Sequence, residues 1–469
     1  MTMLSDEILF LPLTELSGRI RQRQLSPVEL TESYLERSRS IGARLNAYAT
    51  LTPELALKQA HAAEKEIAAG KYRGPLHGIP YAAKDLLAVQ GYPTGWGARP
   101  CSDQRFDYNA TVVRHLENAG AILIGKAAMI ELAGGMGYRY ASASASGAAK
   151  NPWNEDFWTC GSSSGSAAVV AAGLAAFAIG TETWGSIICP SGFTGLTGLR
   201  PTLGRVSRYG AMALAYSMDK IGPMCRQAED CDLVLRVIAG HDPQDGYSLP
   251  APLAAYTGAE QPKAKLRIGW ILNQWKEVSA EVDKATAAAR ELLEKVQAVE
   301  MSTVTLPEGP WETAAGVIVS AEGAAAFHQL IASGRVKELS DPLGKIGGYM
   351  NEEISASDLL LSERIRAVLK KKMDELFQHV DVLATPSLPV TASKLNANLD
   401  TALSFADPLG GIGNMCGLPA ISVPCGFAAN NLPIGIQFVG RPLDDAKVVQ
   451  AARLFQAHTD WHKRHPKLS

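Results

Sequence analysis

The chain has 469 residues, and its 45 Lys and Arg against 47 Asp and Glu give a formal net charge of −2. This balance lacks the basic excess typical of general polyanion binders. A hydrophobic content of 46% is that of a globular protein and excludes a disordered chain. The N-terminus does not begin like a signal peptide, and no uninterrupted apolar run reaches the roughly 18 residues of a membrane helix. We therefore expect a cytoplasmic protein without membrane contact.

Helical and strand-like segments alternate along the chain. Early helices are indicated by "SPVELTESYLERSRSI" and "PELALKQAHAAEKEIAAG". Buried strand-like segments then alternate with amphipathic helices, from "HGIPYAAKDLLAV" and "AILIGK" to "FAIG", "DVLATP" and "PIGIQFVGR". This alternation predicts an α/β fold, in which a central sheet is covered by helices on both faces. The most loop-like segment, 239–265, is compatible with a domain boundary and equally with a long surface crossing.

Residues 160–166, "CGSSSGS", crowd four serines into one loop before a predicted helix. A phosphate cradle at the helix N-terminus is one interpretation, since backbone N–H groups there attract anions. The sequence contains neither the lysine of a P-loop nor a GxGxxG pattern at this place. The plainer interpretation is a capped turn, because serine hydroxyls accept hydrogen bonds from helix N-termini.

A fifth serine, Ser186, follows the strand-like "FAIG" in the sequence "GTETWGSI". Loops beyond the carboxyl end of a strand are where α/β sheets place ligand chemistry. Gly185 allows a sharp turn there, and successive N–H groups in such a turn can bind a developing oxyanion. One helix and one returning strand would fill the span from Ser162 to Ser186, so the two serines are expected to be neighbours in space.

A serine nucleophile needs a base, and the sequence offers few. No GxSxG motif surrounds Ser186, and His77 lies in a turn typical of a structural histidine. A lysine held neutral by burial can replace histidine. Lys84 and Lys126 both lie in apolar surroundings, although Lys126 could simply extend outward to solvent. The pattern alone does not choose between them.

These segments resemble the amidase signature family of hydrolases. The run "GSSSGSAAVVAAGLAAFAIGTETWGSI" followed by "GLTGLRPT" is similar to the signature itself, and "GPLHGIPYAAKD" resembles the family's lysine segment. Further motifs, up to "CGLPAISVPCGF" and "LPIGIQFVGRP", stand in the family's order. The resemblance covers nearly the whole chain. It implies one amidase-signature domain over 1–469, with a signature core at about 75–235 and a central mixed β-sheet.

The resemblance also implies a catalytic triad. It places the family's Ser–Ser–Lys residues on Lys84, Ser162 and Ser186, and so selects Lys84 over Lys126. Neutral Lys84 would take a proton from Ser162, which takes one from the nucleophile Ser186. The oxyanion hole falls on the N–H groups of Thr183, Trp184, Gly185 and Ser186. The peptide bond before Ser162 is expected to be cis, and no metal or organic cofactor is required.

Four positions depart from the family's usual residues. Cys160 and Ser164 stand where glycines are usual, Ile188 stands where arginine is frequent, and Trp184 replaces a smaller or acidic residue. Ser163, Ser164 and Ser166 are expected to be structural. Trp184 has two interpretations that the sequence leaves open: it packs into the core beneath the turn, or it forms a wall of the substrate pocket.

The apolar surroundings of the site suggest a free-standing hydrolase of amides with apolar or aromatic groups. Carbamates and aryl esters are alternative substrates, because the same triad could attack their carbonyl. The family also contains a glutamine-hydrolysing subunit of a tRNA amidotransferase, and this role is a minor alternative, because "TETWGSIICP" departs from that subunit's usual segment. Expected partners are small molecules and not nucleic acid, and a homodimer is compatible. The expected pocket residues are Gly134, Gly135, Met136, Tyr138, Trp184 and Ile188.

Overall fold

The computed structural model describes residues 4–250 and 265–468. Within them, the strands are β1 (Tyr48–Leu51), β2 (Pro80–Lys84), β3 (Ile122–Ala127), β4 (Lys150–Asn151), β5 (Asn154–Trp158), β6 (Phe177–Glu182), β7 (Thr197–Arg200), β8 (Lys220–Cys225), β9 (Leu266–Ile271), β10 (Val299–Val304), β11 (Val382–Pro386), β12 (Ala420–Phe427) and β13 (Pro433–Gly440). A large mixed β-sheet runs through the molecule in the strand order β1-β3-β2-β6-β8-β7-β12-β13-β11-β9-β10, and β4 and β5 pair separately.

Helices flank this sheet. They are α1 (Asp6–Leu9), α2 (Leu13–Arg21), α3 (Pro27–Arg37), α4 (Pro53–Ala68), α5 (Thr111–Asn118), α6 (Ser164–Ala171), α7 (Ile188–Thr194), α8 (Ala228–Ile238), α9 (Ala280–Lys295), α10 (Trp311–Ala326), α11 (His328–Ala332), α12 (Gly344–Glu352), α13 (Ala356–Leu376), α14 (Leu399–Ala402), α15 (Pro408–Met415) and α16 (Asp445–Ala457). The α/β fold with a central mixed sheet, predicted from the alternating pattern and the family resemblance, is confirmed.

The strand that carries Lys84 and the strand that leads to Ser186 lie in a parallel part of the sheet. β2 pairs in parallel with β3 on one side and with β6 on the other, while β8 joins β6 antiparallel. Because β2 and β6 run side by side in the same direction, their carboxyl ends and the loops beyond them meet at one edge of the sheet. This edge holds Lys84, the last residue of β2, and the turn that follows β6.

Helix α6 is buried along its whole length, and small residues make this possible. All eight residues from Ser164 to Ala171 are buried. A Cβ atom at Gly165 would lie 2.4 Å from the backbone nitrogen of Ala128 and from the carbonyl oxygen of Ala47. Any side chain at Gly165 would therefore displace the helix from the sheet and move the serine-rich loop at its N-terminus.

The segment 239–265, predicted as a loop or domain boundary, falls largely on 251–264, which lies outside the described residues. Strands from both sides of this segment belong to the same large sheet. In the described part of the chain, no helix is both long and apolar enough to cross a membrane.

Candidate active site

Three side chains from separate segments meet at the edge where β2 and β6 end. The Lys84 Nζ donates a hydrogen bond of 2.8 Å to the Ser162 Oγ, and the Ser162 Oγ donates one of 3.0 Å to the Ser186 Oγ. All three residues are buried, with Ser186 the most accessible at 8%. The structure thus brings the sequence-predicted residues into one continuous chain of hydrogen bonds.

Lys84 is surrounded by hydroxyl groups. Besides Ser162, its Nζ donates to the Ser163 Oγ at 3.0 Å and to the Thr181 Oγ1 at 2.9 Å. Complete burial lowers the pKa of Lys84 to about 7, and the negative charges of Asp219 and Glu182 oppose this shift only in part. Since hydroxyls accept hydrogen bonds without adding a counter-charge, a large fraction of Lys84 is a neutral amine at neutral pH.

Ser163 and Thr181 were missed as parts of this site. Ser163 was expected to be structural, yet its Oγ accepts from both Lys84 and the Thr181 backbone N–H and donates to the Thr181 carbonyl. The only sequence signal for Ser163 was its position next to Ser162. Thr181 gave none, because a threonine near the end of a buried strand is common for packing reasons alone.

The loop before α6 carries unusual backbone geometry. The peptide bond between Gly161 and Ser162 is cis, as the resemblance implied, and Cys160 has a φ of 70°. Ser164 begins α6, and the Ser166 Oγ donates to the Ile179 carbonyl at 3.2 Å. Ser166 thus ties α6 to β6, away from Lys84.

The turn that holds Ser186 is fixed by two carboxylates, the buried Glu182 and the half-buried Asp219. Glu182 accepts hydrogen bonds from the N–H groups of Ile187 (2.8 Å) and Ile188 (3.0 Å) and forms an ion pair with Arg200 at 2.6 Å. The Thr183 Oγ1 donates to Asp219 at 2.5 Å. These contacts hold both ends of the turn in place around the nucleophile candidate.

Between those ends, the backbone is available for substrate. Gly185 has a φ of 77°, which suits a residue without a Cβ atom. In the described chain, the N–H groups of Trp184, Gly185 and Ser186 donate no hydrogen bond to other protein atoms. Unpaired N–H groups beside a serine hydroxyl form the arrangement that stabilises the oxyanion of an acyl transfer.

The predicted pocket residues between Gly134 and Tyr138 have two different surroundings. Gly135 packs against Leu214 and Phe327, and the Met136 carbonyl lies against Gly347 of α12. The ring centroid of Tyr138 lies 6.1 Å from that of Trp158. The same ring also packs against Gly134. Burial raises the pKa of the Tyr138 phenol, with Cys160 and Cys189 close enough to add to the shift. Tyr138 therefore lies toward the nucleophile turn.

Ile188 and Trp184 are placed differently from each other. Ile188 is buried as the first residue of α7, whereas Trp184 is only partly buried and packs against the main core. The Trp184 indole N–H lies close to the Asp407 carboxylate. Both side chains converge on Gly410, where a Cβ atom would lie 2.5 Å from the Trp184 Nε1. Trp184 thus packs on the core and lies beside an acidic group.

Asp407 belongs to a small polar group at the N-terminus of α15. Its Oδ1 accepts from the Gln274 Nε2 at 2.8 Å and the Gly410 N–H at 2.9 Å, and its own N–H donates to Glu312 at 2.5 Å. Burial raises the pKa of Asp407 to about 6, and the nearby charge of Glu312 acts in the same direction. The carboxylates of Asp407 and Glu312 therefore lie near Trp184, the residue before Gly185.

Lys126, the other lysine considered, does not extend to solvent. It is buried, and its Nζ pairs with Asp85 at 3.0 Å and donates to the Thr94 Oγ1 at 3.0 Å. The expectation that Lys126 could reach outward was wrong, because Asp85 supplies a buried counter-charge at the end of β2.

Comparison with known proteins shows full-length similarity. The A-subunit of the glutamyl-tRNA(Gln) amidotransferase of Moorella thermoacetica is 37% identical over 98% of this chain and 99% of its own length. The solved structure of the corresponding protein from Thermotoga maritima has a TM-score of 0.81 at 25% identity and covers 100% of both chains. The peptide amidase of Stenotrophomonas maltophilia has a TM-score of 0.85 at 29% identity, covering 97% of this chain and 98% of that one.

These relatives overturn the expected substrate and partners. The preference for a free-standing hydrolase of apolar or aromatic amides, with carbamates and aryl esters as alternatives, is wrong: similar proteins at 34–37% identity carry the name of the amidotransferase subunit. The expectation of small-molecule partners without nucleic acid, and of a homodimer, is overturned by the same names. The segment around Trp184 departs only locally from that subunit's usual sequence, whereas the similarity extends over the full length.

The family assignment rests on the chain as a whole. The family model named Amidase matches residues 29–449, which include the serine-rich loop, the nucleophile turn and both buried lysines. Members of this family cleave the C–N bonds of amides, and the chain is an enzyme of this class. By its sequence, its fold and the model that matches nearly all of it, the chain belongs to the amidase signature family.

Proposed function

We propose that this protein hydrolyses the side-chain amide of glutamine and acts as the amidase subunit of a glutamyl-tRNA(Gln) amidotransferase. The observation that carries the proposal is the continuous Lys84–Ser162–Ser186 hydrogen-bond chain in a protein whose full-length relatives bear that subunit's name. The cytoplasmic location expected from the sequence stays a prediction.

The geometry supports a two-step acyl transfer. Ser186 attacks the amide carbonyl while its proton passes through Ser162 to neutral Lys84; hydroxyl groups rotate, so the same two contacts serve either direction of transfer. The N–H groups of the turn stabilise the oxyanion. The proton returns through Ser162 to the leaving nitrogen, so ammonia departs. Water then attacks the acyl-enzyme, and the same route restores Ser186 and releases glutamate.

The charges near the turn fit an amino-acid substrate. Glutamine carries an ammonium group as well as its amide, and an ammonium group is stabilised by carboxylates. Asp407 and Glu312 supply carboxylates beside Trp184. An apolar anilide carries no positive charge to pair with these carboxylates.

The chain's overall charge suggests that other polypeptides hold the tRNA. Affinity for a nucleic-acid backbone comes mainly from clusters of Lys and Arg. The formal net charge of −2 provides no such excess. We therefore assign the tRNA contacts of the complex mainly to partner subunits, with this chain supplying ammonia.

The test is a glutaminase assay of the purified chain alone and with the partner subunits and glutamyl-tRNA. Wild-type protein should release ammonia from glutamine and form glutaminyl-tRNA in the complex. Ser186→Ala should lower the rate by about 10⁴-fold or more, as removal of a serine nucleophile does in other hydrolases. Ser164→Ala is the matched control, because Ser164 is a buried serine of the same loop outside the relay.

Two outcomes would contradict the proposal. Wild-type chain that is inactive on glutamine with every partner present, yet cleaves other amides, would remove the amidotransferase role. Ser186→Ala protein that keeps wild-type glutaminase activity would remove Ser186 as the nucleophile.

A further inference from the structure

Two cysteine side chains meet beside the nucleophile turn. Cys160 precedes the Gly161–Ser162 peptide, and Cys189 lies three residues after Ser186 in the first turn of α7. Cys189 packs against the apolar cluster that contains Cys160, and the two thiols are close enough to interact electrostatically. The loop that carries Ser162 and the turn that carries Ser186 therefore share one apolar cluster through these two cysteines.

The Cys189 sulfur also touches the turn itself. A Cβ atom at Gly185 would lie 2.6 Å from the Cys189 Sγ, so the sulfur occupies the space beside that glycine. Cys189 is partly exposed, whereas Cys160 is buried. A small reagent can thus reach Cys189 before it reaches Cys160.

We propose that Cys160 and Cys189 form an oxidation site whose disulfide inactivates the enzyme. The oxidant is of the hydroperoxide class. With hydrogen peroxide, one thiol gives its electron pair to a peroxide oxygen, forming a sulfenic acid and water; the second thiol then attacks that sulfur and expels another water. The two thiols are oxidised by two electrons, and the peroxide is reduced to two molecules of water.

The disulfide would change the distance between the two catalytic segments. An S–S bond is about 2.05 Å long, much shorter than a contact between non-bonded sulfur atoms. Its formation must move the Cys160 loop or the start of α7, and these segments carry Ser162 and Ser186. Because the Ser162–Ser186 hydrogen bond spans 3.0 Å, a small shift would break the proton relay. A displacement of about 1 Å in an active site costs about 10²-fold in rate.

The rate of this oxidation should depend on pH. The thiolate is the reacting form of cysteine. The neighbouring Cys160 thiol, together with burial, raises the pKa of Cys189 well above its usual value. The thiol therefore predominates at neutral pH, and inactivation should become faster as the pH rises.

The chain contains a matched control pair. The side chains of Cys225 and Cys231 also lie close enough to interact, but both are fully buried in the main core. If access of the peroxide decides the reaction, only the Cys160–Cys189 pair should be oxidised in the folded protein.

The experiment treats the full chain with hydrogen peroxide and follows two readouts that do not depend on the substrate. Peptide mass spectrometry without reduction should find Cys160 linked to Cys189, with the loss of two hydrogens. Labelling of Ser186 by a fluorophosphonate probe should fall by about 10²-fold and recover with dithiothreitol. These readouts separate the failure of this inference from a failure of the proposed glutaminase activity.

Variants decide the assignment. Cys189→Ala and Cys160→Gly should keep Ser186 labelling after peroxide; glycine suits the positive φ of residue 160, so that variant preserves the backbone. Cys231→Ala should remain as sensitive as the wild type. Absence of the Cys160–Cys189 linked peptide in peroxide-treated protein, or protection by Cys231→Ala, would overturn the proposal.

Discussion

Lys84 and Lys126 lie on neighbouring parallel strands, and both are fully buried. In the register of β2 and β3, Ala83 pairs with Lys126 and Lys84 pairs with Ala127. Lys126 has a carboxylate partner in Asp85, whereas the side-chain contacts of Lys84 in the described structure are hydroxyls. Burial lowers the pKa of both lysines, but Asp85 raises that of Lys126 again by Coulomb attraction and a hydrogen bond. Since both lysines are buried, the difference between them comes from their partners: hydroxyl groups leave Lys84 as a base, whereas a carboxylate holds Lys126 in an ion pair.

The alternation of side chains along β2 explains how adjacent residues serve different lysines. Successive side chains of a strand point to opposite faces of a sheet. Lys84 therefore faces Ser162 and Ser186, while Asp85, one residue later, turns toward Lys126 and accepts from the Gly95 N–H at 3.1 Å. Were Asp85 on the face of Lys84, its charge would favour the ammonium form and abolish the base.

Among the variants that test this comparison of the two lysines, the loss of Lys84 should have the largest effect on the hydrolysis rate. Lys84→Met keeps the length and volume of the side chain but has no amine. We expect the amide hydrolysis rate to fall by about 10⁴-fold, since Ser186 then has no route for its proton. Stability should be unchanged or slightly higher, because the desolvation of Lys84 disappears. Steady-state kinetics and urea unfolding check the two parts.

The opposite outcome for the two lysine variants would contradict this assignment. If Lys84→Met retained most of the hydrolytic rate while Lys126→Met lost it, the roles assigned to the two lysines would be exchanged. A rate lost together with stability would indicate that Lys84 is needed for the fold instead.

The pH dependence should report the neutral form of Lys84. With a pKa of about 7, kcat/KM should rise about tenfold per pH unit below that value and level off above it. The unfolded chain keeps the ordinary lysine pKa of 10.5, so it binds more protons than the folded one between about 7 and 10.5. The contribution of Lys84 to stability therefore rises with pH in this window.

Measurement of unfolding by urea at several pH values, for wild type and Lys84→Met, isolates this contribution as the difference between the two slopes. A kcat/KM profile that stays flat down to pH values well below 7 would show that Lys84 does not titrate as the base.

Breaking the ion pair should affect stability more than chemistry. Lys126→Met leaves the Asp85 carboxylate buried without its counter-charge, which costs about 3–5 kcal/mol. The fraction that remains folded should keep its active site, because Lys126 makes no contact with the serines. The double variant Lys126→Met with Asp85→Leu removes both charges and should recover much of the loss. Urea unfolding of the four proteins forms the cycle; a double variant no more stable than Lys126→Met would contradict the ion-pair account.

The sequence predicted the fold well because the alternation of strands and helices is long-range and repeated. It also led to Lys84, Ser162 and Ser186, although only the family resemblance chose Lys84 over Lys126. The hydrophobic pattern places both lysines on buried strands but does not say which face each occupies relative to Asp85. That requires the register of β2 with β3 and β6.

Other features of the site depend on contacts that no local pattern records. Ser163 and Thr181 become partners of Lys84 only because the loop before α6 crosses the end of β6. The substrate was misjudged because the surroundings of the site were interpreted as apolar. Asp407, more than two hundred residues from Trp184 in the sequence, and Glu312 instead give this side of the turn an acidic character.

The smallest effect should come from Ser163, which stabilises Lys84 without taking part in the relay. Ser163→Ala removes one of three hydroxyl acceptors around the Nζ and leaves the 2.8 Å contact with Ser162. A hydrogen bond of this kind is worth about 0.5–1.5 kcal/mol, so we expect a loss in kcat of about threefold to tenfold. Ser163 supports the charged amine through its acceptor oxygen, so its removal should also shift the acidic limb of the kcat/KM profile to lower pH. Ser166→Ala, three residues later in α6 and bonded to Ile179, serves as control and should leave that limb in place. A loss in Ser163→Ala as large as that of Lys84→Met would place Ser163 in the relay itself.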